Sequence, residues 1–267
     1  VLLCVVDWVC RDCGWGWDVS VLLCVVALAR LVCDVVLVGR QAGPARPMGN
    51  LTPHLLIMIT KTDNKVLDAD QKVGPVNLWL HSLFSQVDIK LNGKLITPSV
   101  NTYPYRAYLE TLLSYGSDAK ESQLTSELWY QDTPDMDEVD QAADENTNVG
   151  FKARGALTAT SKSVEMIGRL HCDIFQQDRY LLNGVEMNVK LIPSSEAFHL
   201  MGDAAYKTTI EDACLYVRKV KLNPSIPVEH NKLLNQNKLA KYPIRRGVVT
   251  SFTIPNNNQS INKDNVI

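Results

Sequence analysis

The sequence feature that most constrains the fold is a change of pattern within residues 73–96, VGPVNLWLHSLFSQVDIKLNGKLI. Its first half packs apolar residues too densely for a strand with one face in solvent, which predicts a buried strand or a short helix. The QVDIKL that follows alternates apolar and polar residues and leads into Asn92-Gly93. Asn-Gly is the strongest short-range hairpin signal, because a type I′ turn needs a positive φ at both central residues. The stretch therefore predicts an antiparallel hairpin in which Leu91 pairs with Lys94.

Alternating segments recur along the rest of the chain. They are HLLIMITK, VEMIGRLHCDIF, VEMNVKLIP, TIEDACLYVRKVKLN and VVTSFTIP, with a short helical stretch, VEHNKLLNQNKLAK, before the last one. A βαβ fold has a helix after nearly every strand. Here the helical stretches are fewer than the strands, so a βαβ arrangement is not indicated. The pattern predicts a mainly β fold, an antiparallel sandwich with a few inserted helices.

One helix is clearly predicted by the segment NTYPYRAYLETLLSYG. Asn101 or Thr102 can cap its start, Pro104 suits its first turn, and Gly116 suits its end. Large apolar residues recur in it at helical spacing, and we expect them to face the core rather than a ligand: Tyr105, Tyr108, Leu109, Leu112 and Leu113.

The first 50 residues differ in composition from the rest of the chain. Five of the seven cysteines lie within the first 33 residues, and VLLCVV occurs twice. Residues 19–38 are apolar over a length that would cross a bilayer, although Arg30 and Asp34 within this run are costly there. Two interpretations stay open for the segment: a membrane span at residues 19–38, or an artefact of the gene model.

The cysteines also bear on metal binding and on the cellular compartment. Cys10 and Cys13 form a CxxC, which would be half of a zinc site or a redox pair, but no second CxxC and no paired histidines follow. Cys172 and Cys214 are the cysteines of the remaining chain. Two cysteines are too few for a disulfide framework, which indicates a reducing compartment.

The sequence carries no recognisable catalytic motif. It contains no GxSxG elbow, no phosphate-binding glycine loop and no HExxH helix. His171, Cys172 and Asp173 are consecutive in a predicted strand, so Cys172 should point away from His171 and pack in the core. The other histidines are scattered singly and suggest no cluster: His54, His81, His199 and His230. We therefore expect no enzymatic activity, no metal and no cofactor.

The charge distribution suggests a partner. The formal net charge of -2 argues against a dedicated nucleic-acid binder, but residues 106–148 carry eleven acidic residues and residues 216–246 carry eight basic ones. Asp135, Asp137 and Asp140 lie in a loop that lacks the glycine and glutamate of an EF-hand, which favours a solvated acidic loop over a calcium site. The basic residues are predicted to form a subunit contact, against the acidic loop of a neighbouring copy: Arg218, Lys219, Lys221, Arg245 and Arg246.

Four segments together resemble one protein family. They are VGPVNLWLHSLFSQVDIKLNGKLI, NTYPYRAYLETLLSYG, GRLHCDIFQQDRYLLNGV and KYPIRRGVVTSFTIP, and they closely resemble the minor capsid (penton-like) proteins of Polinton or Maverick elements, virus-like DNA transposons of animal genomes. The resemblance extends from about residue 52 to the end of the chain. It implies a single jelly-roll that assembles, as a pentamer beside a separate major capsid protein, into the vertices of an icosahedral shell. It implies no catalysis and no cofactor, and it places the protein in a virion-like particle or in the host cytoplasm or nucleus.

Two departures from the family shape the expected domain organisation. Residues 1–50 do not resemble its strand-rich start, and relatives continue past the INKDNVI at the end of this sequence. We therefore expect residues 51–267 to form a capsid-like jelly-roll that is incomplete at both ends and truncated at its C-terminus. The alternative is a membrane-anchored, β-rich binding protein that uses residues 19–38 as its anchor.

Overall fold

The computed structural model describes residues 19–23, 33–37, 46–47, 51–69, 71–140, 148–177, 179–218 and 222–251. Its strands are β1 (Val19–Leu23), β2 (Cys33–Leu37), β3 (Arg46–Pro47), β4 (Leu51–Lys61), β5 (Val73–Pro75), β6 (Phe84–Leu91), β7 (Lys94–Leu95), β8 (Val164–Ile167), β9 (Tyr180–Leu181), β10 (Met187–Pro193), β11 (Leu200–Gly202) and β12 (Tyr206–Arg218). Its α-helices are α1 (Trp79–Ser82), α2 (Tyr103–Ser114), α3 (Ser117–Glu121), α4 (Val149–Thr158), α5 (Glu196–His199) and α6 (Ser225–Asn235). The prediction of a mainly β fold with a few inserted helices is confirmed.

Two four-stranded antiparallel sheets form the body of the protein. The first sheet has the strand order β1-β12-β4-β8, and the second has the order β2-β10-β6-β7. The long strands β4 and β12 pair from Leu51↔Val217 to Lys61↔Tyr206, with a bulge near Ile210. Two separate two-stranded sheets are also present, formed by β11 with β5 and by β3 with β9. The architecture is the predicted antiparallel sandwich.

The core lies between the two sheets because one side chain in two along each strand points inward. Along β4 the buried positions alternate with partly exposed ones, and Leu55, Ile57 and Ile59 are all buried. They belong to the same buried cluster as Ile89 of β6 and Val189 of β10, which are opposite each other in the second sheet. This shared layer of apolar side chains is what holds the sheets together.

The predicted hairpin is confirmed at residue level. Leu91 pairs with Lys94 across β6 and β7, and the amide of Ile96 donates to the carbonyl of Ile89 at 2.8 Å. Asn92 and Gly93 have φ values of 47° and 78°, the positive pair that a type I′ turn requires. The dense block before it contains α1, whose four residues are all buried, and β6 begins after the single residue Leu83.

Two strand predictions are wrong in part. In VEMIGRLHCDIF only Val164–Ile167 is a strand; the chain then leaves the sheet, and Asp173–Gln176 forms a 3-10 helix. His171, Cys172 and Asp173 therefore do not alternate across a strand, although Cys172 is buried in the core as predicted. Residues 248–251 of VVTSFTIP have no regular secondary structure, and the rest of that segment lies outside the described residues.

Helix α4 is an element that the sequence analysis missed. Asn148 caps it, since its side-chain oxygen accepts from the amide of Phe151 at 3.1 Å. Arg154 is fully buried within it and donates to the carbonyl of Pro75 at 2.9 Å and to Asp132 at 2.6 Å. The guanidinium also donates to the carbonyl of Tyr130. One buried cation thus ties α4 to β5 and to the chain after Glu127.

Three described ranges within the first 50 residues are strands, and two of them are edge strands of the four-stranded sheets. Strand β1 pairs with β12 in the first sheet, and β2 pairs with β10 in the second. Both lie inside the 19–38 run that was considered as a membrane span, so backbone pairing crosses the division predicted at residue 50. That division, with its two interpretations of residues 1–50, stays a prediction. Among the described residues, no helix has the length and apolar character needed to cross a membrane.

Candidate functional site

A group of ionisable side chains lies beneath helix α2. Tyr103 and Ala107 of this helix are buried in the core. Arg106 and Glu110, which are one helical turn apart, lie beside these two residues and form an ion pair. Their polar ends meet residues from distant parts of the chain. We call this group the His81–His171 cluster; it consists of His81, Tyr103, Arg106, Glu110, Glu127, His171 and Asp173.

Hydrogen bonds hold the first half of the cluster around His81, which is 1% exposed. Its Nδ1 lies 2.9 Å from the hydroxyl of Tyr103, and its Nε2 lies 3.1 Å from Oε2 of Glu127. The other oxygen of Glu127 accepts from the amide of Arg169 at 3.2 Å. The rings of His81 and His171 meet edge to face, with centroids 4.7 Å apart. The two imidazoles are therefore in direct contact inside the protein.

An ion-pair chain forms the second half. Nδ1 of His171 lies 2.8 Å from Oε2 of Glu110, and the other oxygen of Glu110 accepts from Nε of Arg106 at 2.8 Å. Arg106 also forms a short ion pair with Asp173. Asp173 in turn accepts from the amide of Gly247 at 3.2 Å, which fixes the path of the C-terminal part of the described chain.

Burial and hydrogen bonding oppose each other in the electrostatics of the cluster. Burial raises the pKa of Glu110, but hydrogen bonds from His171 and Arg106 outweigh it and lower that pKa to about 2. The same balance lowers the pKa of Glu127, through its hydrogen bond with His81. Burial lowers the pKa of His171 and outweighs the opposing hydrogen bond to Glu110. Both carboxylates are thus ionised beside an imidazole whose charged form is disfavoured.

The prediction that the histidines form no cluster is wrong for His81 and His171. Ninety residues separate them in the sequence, and only the packing of α1 against the chain after β8 brings them together. A signal did exist in each local sequence, because each histidine is enclosed by apolar residues in a segment with a buried pattern. Ionisable groups in such segments are rarely unpaired.

The outer face of α2 contradicts a second prediction. The apolar residues expected in the core are exposed: Tyr105 49%, Tyr108 37%, Leu109 43%, Leu112 38% and Leu113 80%. Tyr105 contacts Phe198, which is 36% exposed, edge to face at 5.7 Å between ring centroids. The helix instead turns Tyr103, Ala107 and Thr111 inward. We call the exposed residues Tyr105, Tyr108, Leu109, Leu112 and Leu113 the α2 apolar face.

The predicted contact residues that the structure describes lie in the acidic loop, at the end of β12 and near the C-terminal end of the described chain. In the acidic loop, Asp135 and Asp137 are exposed, whereas Asp140 forms an ion pair with Lys72 at 2.8 Å. In the basic stretch, Arg245 and Arg246 are exposed, and Arg246 donates to the carbonyl of Ile96 at 2.8 Å. Arg218 ends β12, while Lys219 and Lys221 lie outside the described residues. Their role in a contact between copies stays a prediction.

Two groups of side chains among the described residues have the composition and spacing to hold a metal ion. His81, Glu127 and His171 form the buried group, and His54, Asp212 and Cys214 form a more exposed group on the first sheet. In each group the ligand atoms lie within 4.8 Å of one another. In the exposed group, Nε2 of His54 is held by Glu165 at 2.5 Å.

Comparisons with known proteins give distant similarities. No protein-family model matches the chain. An uncharacterized protein of Caenorhabditis elegans is 24% identical over 200 residues, which are 73% of this chain and 45% of that protein. The chain thus spans less than half the length of this curated relative.

Solved structures of viral proteins are among those with a similar fold. The mavirus major capsid protein is 15% identical, with a TM-score of 0.42 over 78% of this chain and 47% of that one. The Sputnik virophage structure is 11% identical, with a TM-score of 0.48 over 82% and 50%. The Faustovirus major capsid protein is 9% identical, with a TM-score of 0.48 over 82% and 56%. This chain spans about half the length of each.

Proposed function

We propose that this chain is a structural capsid subunit, a minor (penton-like) capsid protein of a Polinton-type element. In this role it assembles with copies of itself and with a separate major capsid protein, without catalysing a reaction or holding a catalytic cofactor. The first support is the resemblance of four segments to that family. Three of the four contribute side chains to the His81–His171 cluster, through His81, through helix α2, and through His171 with Asp173, and the fourth contacts Asp173 through the amide of Gly247.

The observation that carries the proposal is the α2 apolar face. Five large apolar side chains lie together on one exposed surface of this helix. Residues of these types at helical spacing are usually found in a protein core. Contiguous apolar patches on a soluble protein mark sites that a partner covers. Covering one leucine side chain completely contributes about 1.5 to 3 kcal/mol to association. Leu109, Leu112 and Leu113 therefore offer a contact of useful strength.

Charge complementarity points to a second copy as the partner. Residues 131–140 carry five acidic residues and no basic one, whereas residues 238–251 carry four basic residues and no acidic one. Two such surfaces on one chain suit a head-to-tail contact, in which the basic stretch of one copy meets the acidic loop of the next. A head-to-tail contact that closes on itself forms a ring, which is the geometry of a shell vertex.

Oligomeric state tests the proposal. We expect the purified chain to form a closed ring by light scattering and negative-stain microscopy, with a pentamer as the expected state. Leu113→Glu should weaken association by roughly 10- to 100-fold, because it places a charge at a contact worth about 1.5 to 3 kcal/mol. Val66→Glu is the matched control, since Val66 is also exposed but belongs to the loop between β4 and β5, and it should leave assembly unchanged.

Charge reversal tests the direction of the contact. Arg245→Glu with Arg246→Glu should prevent ring formation, and so should Asp135→Lys with Asp137→Lys. Combining the four changes in one chain should restore the ring because the opposite charges then meet again. A chain that stays monomeric at high concentration, alone and with a major capsid protein, would contradict the proposal.

A further inference from the structure

The buried part of the His81–His171 cluster has the ligand set of a zinc site. His81, Glu127 and His171 are 1%, 6% and 7% exposed, and each offers a ligand atom within 4.8 Å of the others. Two imidazoles and one carboxylate are ligands that Zn²⁺ accepts in proteins. The three side chains come from α1, from the end of the 3-10 helix Gln123–Glu127 and from the chain after β8, so a shared ion would join three separate segments.

The residues around these three side chains orient them as a metal site requires. Nδ1 of His171 is held by the carboxylate of Glu110, and Nδ1 of His81 lies next to the hydroxyl of Tyr103. Metal-binding histidines almost always use their second ring nitrogen in this way, since the hydrogen bond fixes the ring and the tautomer. With Nδ1 protonated toward Glu110, His171 keeps the lone pair of Nε2 for an ion.

The charge of the cluster leaves room for a divalent cation. Glu110, Glu127 and Asp173 are carboxylates, and the permanent cation that pairs with them among the described residues is Arg106. Two negative charges are then unbalanced in a largely buried environment, which is costly unless a cation compensates them. Protonating both imidazoles would place two positive charges in rings whose centroids are 4.7 Å apart. One divalent ion supplies the same charge and lies between the ligands.

The distances agree with a tetrahedral ion after a small adjustment. Zinc bonds to nitrogen and oxygen are about 2.0 to 2.2 Å long, so two ligand atoms of one tetrahedral zinc lie about 3.3 to 3.5 Å apart. Nε2 of His81 and Oε2 of Glu127 are 3.1 Å apart. We propose that His81, Glu127 and His171 bind one Zn²⁺, with His81 and His171 coordinating through Nε2. The ion has a structural role, because it joins α1 to the segments that pack beneath α2.

Metal binding to the purified full chain tests this proposal. After dialysis against a chelator, the chain is titrated with Co²⁺ as a spectroscopic probe and then with Zn²⁺ in competition. We expect one equivalent with visible bands of tetrahedral Co²⁺ and without thiolate-to-metal charge transfer, since no cysteine is a ligand. Saturating Zn²⁺, at about 100 times its Kd, should raise the Tm by about 5 to 10 °C.

Variants locate the ion. Glu127→Gln and His171→Gln should each abolish binding of the one equivalent of metal and the rise in Tm. His199→Gln is the matched control, because His199 is also buried but bonds to Thr208 and Ser195. This variant should still bind one equivalent of metal and show the rise in Tm. Circular dichroism establishes that each variant is folded; if Glu127→Gln is not, His171→Gln decides alone.

Three outcomes would overturn the zinc proposal. The first is a folded wild-type chain that binds no metal. The second is a Co²⁺ spectrum with thiolate bands that Cys214→Ser, or Cys10→Ser with Cys13→Ser, removes, since the ion would then lie at another site. The third is full binding by Glu127→Gln. None of these measurements depends on the oligomeric state, so their failure leaves the capsid proposal intact.

Discussion

Replacing Arg154 by methionine should destabilise the protein severely. The guanidinium is fully buried and is the donor to three acceptors: the carbonyls of Pro75 and Tyr130 and the carboxylate of Asp132. Methionine fills a similar volume without any donor. Each buried acceptor left unpaired costs about 1 to 3 kcal/mol, and removing one partner of a buried ion pair costs about 3 to 5 kcal/mol.

The expected loss is about 4 kcal/mol, because water can reach Asp132 at 23% exposure and offsets part of the cost. For a chain of this size, that loss lowers the Tm by about 8 to 16 °C. Urea unfolding followed by circular dichroism measures it, with Arg179→Met as the control, since Arg179 is exposed and that change should cost less than about 0.5 kcal/mol. A loss below about 1 kcal/mol in Arg154→Met would refute the view that this arginine ties α4 to the sheet.

Three further predictions follow from single residues. Gly150→Ala should cost at least about 2 kcal/mol in urea unfolding, because a Cβ there would lie 2.3 Å from the carbonyl oxygen of Gln131, whereas Gly116→Ala meets open space and should be nearly neutral. Burial raises the pKa of the Cys172 thiol to about 12, so iodoacetamide at pH 8 should label it only after unfolding, and labelling of the native protein would contradict this. Burial also lowers the pKa of His199 below its ordinary value of about 6.5. As the pH falls, this histidine is therefore protonated in the unfolded state before it is protonated in the folded state. The free energy of unfolding then decreases as the pH drops below about 6.5. His199→Gln should flatten that fall in urea unfolding between about pH 6.5 and 5; equal slopes would contradict the assignment.

Local patterns determined the parts of the fold that depend on neighbouring residues. The Asn92-Gly93 hairpin, the alternation along β4 and the start of α2 near Pro104 all depend on backbone preferences within a few residues, so the sequence predicts them correctly. The antiparallel sandwich follows from the same signals repeated along the chain. The resemblance that suggests a capsid role also lies in linear segments.

Long-range packing decided the direction in which α2 faces. One side of the helix is the α2 apolar face, and the opposite side includes Tyr103, Ala107 and Thr111. Periodicity alone favours burying the α2 apolar face. The opposite side is buried because Arg106 and Glu110 beside it find partners in Asp173 and His171, more than 60 residues away. Ion pairs at that separation leave no trace in local hydrophobicity, and they bring the α2 apolar face to the surface.

The His81–His171 cluster and the buried Arg154 depend on the tertiary structure for the same reason. A sequence shows that an ionisable residue lies in an apolar segment, but it does not show which distant group will compensate its charge. That compensation is settled when the sheets close and α1, α2 and α4 pack on them, because a charge can leave water only where its partner is already in place. The sequence therefore determined the Asn92-Gly93 turn, the alternation along β4 and the position of α2, whereas only the packed structure determined α4, the proposed zinc ligands and the exposed apolar surface.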